Sequence, residues 1–185
     1  MSAVREVSAR PVTAEEMLAR AGQGMWELVR GEVRELMPPG VEHGSYTQKI
    51  SVRLTLYVWD HRLGEVFAAE TGFLLARDPD TVRGADVSFI AASRMPERLP
   101  KGWGTLVPDL VVEVVSTWDT NKQVQEKAKD WLDAGVRLLW IVYPDARTVH
   151  VHRPGQELRV LSEDGVLDGE EVVPGFSLPV GEIFA

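Results

Sequence analysis

A chain of 185 residues with 44% hydrophobic and 26% charged residues has the length and the mix of a soluble globular protein with one core. The absence of cysteine excludes disulfides, thiolate metal sites and a cysteine nucleophile. A net charge of −8 argues against coating nucleic acid by bulk attraction, while leaving open a local basic patch or a metal that screens acidic groups beside a phosphate. No apolar run approaches the ~20 residues that cross a bilayer, and Met1–Arg10 has no apolar core of a signal peptide. The expectation is one domain over residues 1–185, in the cytoplasm and away from membranes.

Thr13-Ala14-Glu15-Glu16 has the form of a capping box and predicts a short helix through about Ala21, ended by Gly22 and Gly24. Trp26 to Leu36 reads as a strand pair turning at Arg30-Gly31-Glu32, and Met37-Pro38-Pro39-Gly40 as a loop. Ser45 to Arg62 predicts the longest helix. Ile50, Leu54, Tyr57 and Val58 line one face of it, and Val52, Leu56 and Trp59 the opposite face. One face should meet the core; the other meets either a partner subunit or a second layer of the same chain. After a stop at Gly64, Glu65 to Arg77 reads as one or two strands and Asp78-Pro79-Asp80 as a turn. Arg83-Gly84-Ala85 reads as a flexible approach to a short strand, Asp86 to Ile90, and Ala91 to Thr105 as a loop. Leu110 to Ser116 is the strongest strand signal. Asp119 to Ala134 predicts a helix capped by Asp119 or Thr120 and stopped by Gly135. Val136 to Tyr143 is another buried strand, and short strands follow from Thr148 through Val173. A helix between two buried apolar strands suggests a βαβ crossover set among hairpins, so the fold class is α/β or α+β with a mixed sheet.

Glu113 interrupts the apolar run Leu110 to Val115. An unpaired carboxylate buried there is costly, so a cation, an ion-pair partner or protonation must compensate. A buried pair with an arginine or lysine and a metal-binding role both meet that need. Asp86, at the start of its strand, is by itself a turn or capping residue; beside Glu113 it becomes the second half of a two-carboxylate site. Mg²⁺ suits such a pair, because it takes hard oxygen ligands and keeps waters that a substrate phosphate can replace; Mn²⁺ is the natural substitute. In the following helix Val124, Ala128, Trp131 and Leu132 define the inward face. Of its three lysines only Lys127 lies beside that stripe, while Lys122 and Lys129 project the other way. Lys127 is either a snorkelling surface lysine or a contact for a scissile phosphate. Glu27, between Trp26 and Leu28, reads as a surface residue. His43 reads as a loop residue just ahead of the long helix, able to join its N-terminal N–H groups in meeting phosphate. Arg77, Arg83, Arg94, Arg98 and Lys101 flank the Asp86 strand as candidate DNA phosphate contacts.

Several segments together resemble the Uma-type restriction-endonuclease family of the PD-(D/E)XK nuclease superfamily. They are Asp86-Val87-Ser88-Phe89, Pro108-Asp109 through Ser116, Lys127 with Trp131 to Val136, and Trp140-Ile141-Val142. The likeness continues at Trp26 to Glu32, at Glu42-His43-Gly44 and at Pro174-Gly175-Phe176, so it covers nearly the whole chain. It implies a restriction-endonuclease-like mixed sheet flanked by helices, with added hairpins. It implies Asp86 and Glu113 as metal ligands, Lys127 as the active-site lysine, a supporting acidic role for Glu27 and a site-lining role for His43. The chain departs from the superfamily pattern in having Val115 where a lysine usually stands two residues after the acid, and Ala85-Asp86 where Pro-Asp is common.

The expectation is a Mg²⁺-dependent endonuclease acting on nucleic acid, DNA in the first instance, with self-association through Val52, Leu56 and Trp59. Two alternatives stand beside it. One is a nuclease-like fold that binds without cutting; the other is a structural Glu113–Lys127 pair in an oligomeric interaction module.

Overall fold

The computed structural model describes residues 10–20 and 24–185, so the expected stop at Gly22 and the extreme N-terminus lie outside the described residues. In chain order the elements are α1 (Ala14–Leu18), β1 (Trp26–Val29), β2 (Glu32–Glu35), α2 (Val41–His61), β3 (Gly64–Phe67), β4 (Thr71–Ala76), β5 (Thr81–Ala85) and β6 (Val87–Ala91). After a 3-10 turn at Ala92–Arg94 come β7 (Leu110–Val114), α3 (Asn121–Ala134), β8 (Leu138–Tyr143), β9 (Thr148–His152), β10 (Arg159–Leu161), β11 (Val166–Asp168), β12 (Ser177–Pro179) and α4 (Val180–Phe184).

A six-stranded sheet in the order β10-β9-β8-β7-β6-β3 carries the molecule. Only β7 and β8 run parallel, and α3 makes the crossover between them. Both sheet faces are covered, so β7 is buried throughout and β8 up to its last residue, Tyr143, which is why they read as continuous apolar runs. One face packs on α2, α4 and the β11–β12 hairpin through Ile50, Leu54, Trp140, Phe176 and Ile183. The other packs on α3 and β4 through Val111, Trp131, Leu139 and Phe73. A second sheet, β2-β1-β5-β4, stands beside the α3 face. It has its own small core of Ala14, Met17, Leu28 and Val82. The fold class is thus the expected α+β arrangement with a mixed sheet.

Local chemistry sets the element ends. The α1 capping box forms as expected, with Thr13 Oγ1 accepting from the Glu16 N–H and the Glu16 carboxylate accepting from the Thr13 N–H. α3 opens on a second such box, Thr120 with Gln123, and ends on Gly135 at φ +104°. The β1–β2 hairpin turns through Arg30 and Gly31, both at positive φ, as a tight two-residue connection requires.

Three expectations are corrected. α2 begins at Val41, with Gly40 as N-cap, four residues before Ser45. Val41, Glu42 and Gly44 are exposed, so this first turn carries no apolar stripe to announce it. Arg83-Gly84-Ala85 is no flexible approach: it belongs to β5, paired with β4 and β1. The final strand β12 and helix α4 had no periodic signal long enough to read. The outer face of α2 meets no second layer of the described chain: Val52, Leu56 and Trp59 are 40%, 54% and 57% exposed.

Candidate active site

Alternation along β7 decides what each residue meets. Leu110, Val112 and Val114 serve the α2 core, and Val111 serves the α3 core. Glu113, two residues after Val111, shares its side and extends under α3. Lys127 and Trp131, four residues apart on one helical face, both reach the carboxylate. Lys127 Nζ donates to Oε2 at 2.8 Å and Trp131 Nε1 donates to Oε1 at 2.7 Å.

Asp86 does not open a strand as expected: it is the bend residue between β5 and β6, one position before β6. β6 and β7 are antiparallel, with Val87 opposite Val112 and Ser88 opposite Val111, and that register runs on toward Asp86 and Glu113. The Val114 N–H donates to Asp86 Oδ2 at 2.7 Å, and His43 Nε2 stands 3.2 Å from the same oxygen. His43 lies inside the first turn of α2 rather than ahead of the helix. It meets a carboxylate there, not open solvent.

Glu27 is buried, contrary to the surface role read from its neighbours. Its Oε2 accepts from Arg83 Nη1 at 2.6 Å, and its Oε1 accepts from the Gly84 N–H at 3.1 Å and lies 3.3 Å from Lys127 Nζ. Arg83 also donates Nε and Nη2 to Asp130 on α3, at 3.0 and 2.6 Å. The five residues singled out from sequence, Glu27, His43, Asp86, Glu113 and Lys127, line one cleft of about 300 Å³.

The charges are unbalanced. Burial pushes the Glu113 carboxyl well above the carboxylate range despite the contact with Lys127, and Asp86 adds to the rise. Burial acts the same way on Asp86, but His43 and Lys127 outweigh it and hold that group below its ordinary pKa. Burial acts to lower the Lys127 pKa, yet Glu113, Glu27 and Asp86 together raise it, so the ammonium stays protonated. Glu70, in the same cleft, is raised by burial and by Asp86. One lysine serves more carboxylates than it can neutralise.

The donor set fits a hard divalent cation. Each Glu113 oxygen accepts one bond and, when ionised, keeps a second lone pair; both contacts to Asp86 fall on Oδ2, which leaves Oδ1 for a cation. Among the described residues no group of three or more His, Asp or Glu side chains forms a cage that would hold an ion by itself. Two carboxylates with room for waters is the coordination Mg²⁺ tolerates and tighter-caged ions do not.

Several expected phosphate contacts are instead structural. Arg83 is buried between Glu27 and Asp130. Arg77 bridges Glu15 and Asp80, and Arg94 pairs with the fully buried Asp109 at 2.7 Å. Asp109 also accepts from the Ala91 N–H, tying the end of β6 to the start of β7. Arg98 and Lys101 remain exposed on the loop after β6. Two contributors were missed in the sequence. Arg83 carried no signal of its own, because Thr81–Ala85 is buried almost throughout and shows no alternation. Trp131 was read only as core, although a buried indole N–H needs an acceptor. Trp131→Phe keeps the ring and removes the donor; it is expected to cost about 1–3 kcal/mol in urea unfolding, the penalty of a buried oxygen left without its donor.

A family model described as "Putative restriction endonuclease", Uma2, matches residues 14–181. The chain belongs to the Uma2 family. This Uma2 chain also resembles the crystal structure of a putative nuclease belonging to DUF820 from Anabaena variabilis. The TM-score is 0.82 at 23% identity, over 94% of this chain and 98% of the other, which shows a shared nuclease-like fold. Among curated proteins none matches. The Uma2 match spans all five cleft residues and every strand of the six-stranded sheet.

Proposed function

We propose that this protein is a Mg²⁺-dependent endonuclease that hydrolyses phosphodiester bonds in DNA, with Asp86 and Glu113 as the metal ligands. The observation that carries the reading is the convergence in one cleft of these two carboxylates, one from the bend before β6 and one from β7, beside Lys127. When bound, the metal would polarise a water and neutralise phosphate charge. Mn²⁺, with the same ligand preference, is expected to substitute.

The chain's own residues prepare that chemistry. Val114 N–H and His43 fix the Asp86 carboxylate. Trp131 holds one oxygen of Glu113, so its plane is set before substrate arrives. Lys127 stays protonated and acts as a cation: it binds a phosphate oxygen and stabilises the charge that gathers there during hydrolysis. Its side chain is 25% exposed, which leaves it within reach of a substrate. Glu27, itself held by Arg83, anchors Lys127 and supplies the supporting acidic role.

Supercoiled plasmid DNA incubated with the protein and Mg²⁺ or Mn²⁺ tests the reading. Nicking is expected with either ion and absent with EDTA. DNA binding with no nicking under any ion would leave a nuclease fold used for recognition alone.

The exposed Val52, Leu56 and Trp59 support a further part of the proposal, self-association through the outer face of α2. Trp59→Arg is expected to shift sedimentation from dimer or higher oligomer to monomer. A wild-type protein that sediments as a monomer at tens of micromolar, as roughly a micromolar Kd would forbid, removes the idea.

A further inference from the structure

The cleft has the wrong charge for gripping duplex DNA by its backbone. Its lining carries six carboxylates, Glu27, Glu35, Glu70, Asp86, Glu113 and Asp119, against three cations, Arg34, Arg83 and Lys127. Each of the three is held by acid: Arg34 by Glu126, Arg83 by Glu27 and Asp130, and Lys127 by Glu113 and Glu27. Duplex affinity rests mainly on releasing counterions to lysine and arginine, and a duplex packs one charge into every ~1.7 Å of its axis. Little of that energy is available here.

What the cleft offers is aromatic surface. Trp118 lies between β7, which carries Glu113, and α3, which carries Lys127. It lines the cleft and is 75% exposed, the most exposed aromatic residue among those described. Its loop is tied down by hydrogen bonds: the Ser116 hydroxyl accepts from the Trp118 N–H at 3.1 Å, and Asp119 Oδ2 accepts from the Ser116 N–H at 2.8 Å. The backbone that carries the ring is therefore held in place beside the cleft. Met37, also in the cleft lining, is exposed as well.

Resting on the endonuclease reading above, we propose that the site takes unpaired DNA, with Trp118 stacking on a base next to the scissile phosphate. Every base has a face to stack on, and such contacts tolerate any sequence. A single strand also carries about half the axial charge density of a duplex, so it suits an acidic cleft better. A paired base keeps its faces inside the duplex stack and cannot use the ring. The substrate class is thus single-stranded segments, ends, bubbles or flaps, and the phosphate is met by the metal site and Lys127 rather than by a basic track.

The test uses the full chain carrying Glu113→Gln, so that binding is read without cutting, with Mg²⁺ present. The probes are a twenty-nucleotide oligo-dT and a duplex of equal length. The oligo-dT is expected to quench tryptophan fluorescence and to bind at least tenfold tighter than the duplex, with a shallow salt dependence. Trp118→Ala is expected to weaken oligo-dT binding about 5- to 100-fold, the loss of one stacked base; Trp118→Phe should retain most of it and lose most of the quenching. Cleavage of bubble-containing plasmid by the otherwise wild-type chain should fall with Trp118→Ala through KM. Equal binding of oligo-dT by Trp118→Ala, or duplex bound as tightly as single strand, overturns the proposal. If duplex DNA is still cut in a Mg²⁺-dependent way in that case, the endonuclease reading survives alone. If neither DNA is bound or cut, both fall.

Discussion

Glu113→Gln is expected to lower Mg²⁺-dependent cleavage by at least about a thousandfold, roughly 4 kcal/mol of transition-state stabilisation. The substitution keeps the shape and leaves an oxygen for the Trp131 N–H; it gives up the bond from Lys127, whose ammonium keeps Glu27 as its partner. It removes the charge that, with Asp86, makes the site a ligand for a hard cation. Stability should move the other way. Burial holds the Glu113 carboxyl far above its ordinary pKa, so ionising it works against folding. A neutral amide is free of that cost, and the glutamine variant is expected to melt at or slightly above the wild type in EDTA. Activity loss with unimpaired melting marks a functional carboxylate. Wild-type nicking by the variant would assign the activity to a contaminant, and a collapse in melting temperature would make Glu113 a structural ion-pair partner.

Arg83 should show the opposite pattern. Its side chain serves the fold, and Arg83→Met is expected to destabilise the protein by about 3–5 kcal/mol, because the buried Glu27 and the half-buried Asp130 would lose their shared cation. In a domain of this size that corresponds to a fall of roughly 10 °C in Tm, measurable by calorimetry. Adding Glu27→Gln should recover part of the loss, since it removes one of the stranded charges. The pH dependence follows from Glu27. Burial alone would raise its pKa, but Lys127 and Arg83 hold it below the ordinary value. Its contribution is complete above the unfolded carboxylate pKa, about 4.3, and disappears as pH falls through the lower folded value. Acid unfolding of Glu27→Gln should therefore begin from a less stable protein and show a weaker acid-side decline.

The central crossover was legible from residues alone. Leu110–Val114, the capped α3 and Leu138–Tyr143 each carried a signal of their own, and together they permit few arrangements. Lys127 was separable from Lys122 and Lys129 for the same reason, since helical spacing places only one of them beside the apolar stripe. The surroundings were less legible. Glu27 looked like a surface residue because its partner, Arg83, lies 56 positions away in a strand that read as loop. His43 looked like a loop residue because the first turn of α2 faces solvent and the cleft, where no apolar pattern is needed. Ion pairs between distant strands leave no periodic trace, so the polar network escaped where the apolar frame did not.

The two donors on α3 have a bearing on chain length. Lys127 and Trp131 descend from one helix and grip separate oxygens of the same carboxylate, as two fixed points do a caliper. The acid must span the whole gap between sheet and helix to satisfy both. Aspartate, one methylene shorter, has the same charge and the same oxygens but stops below them. At this position the architecture counts carbons, and glutamate is the acid with enough of them.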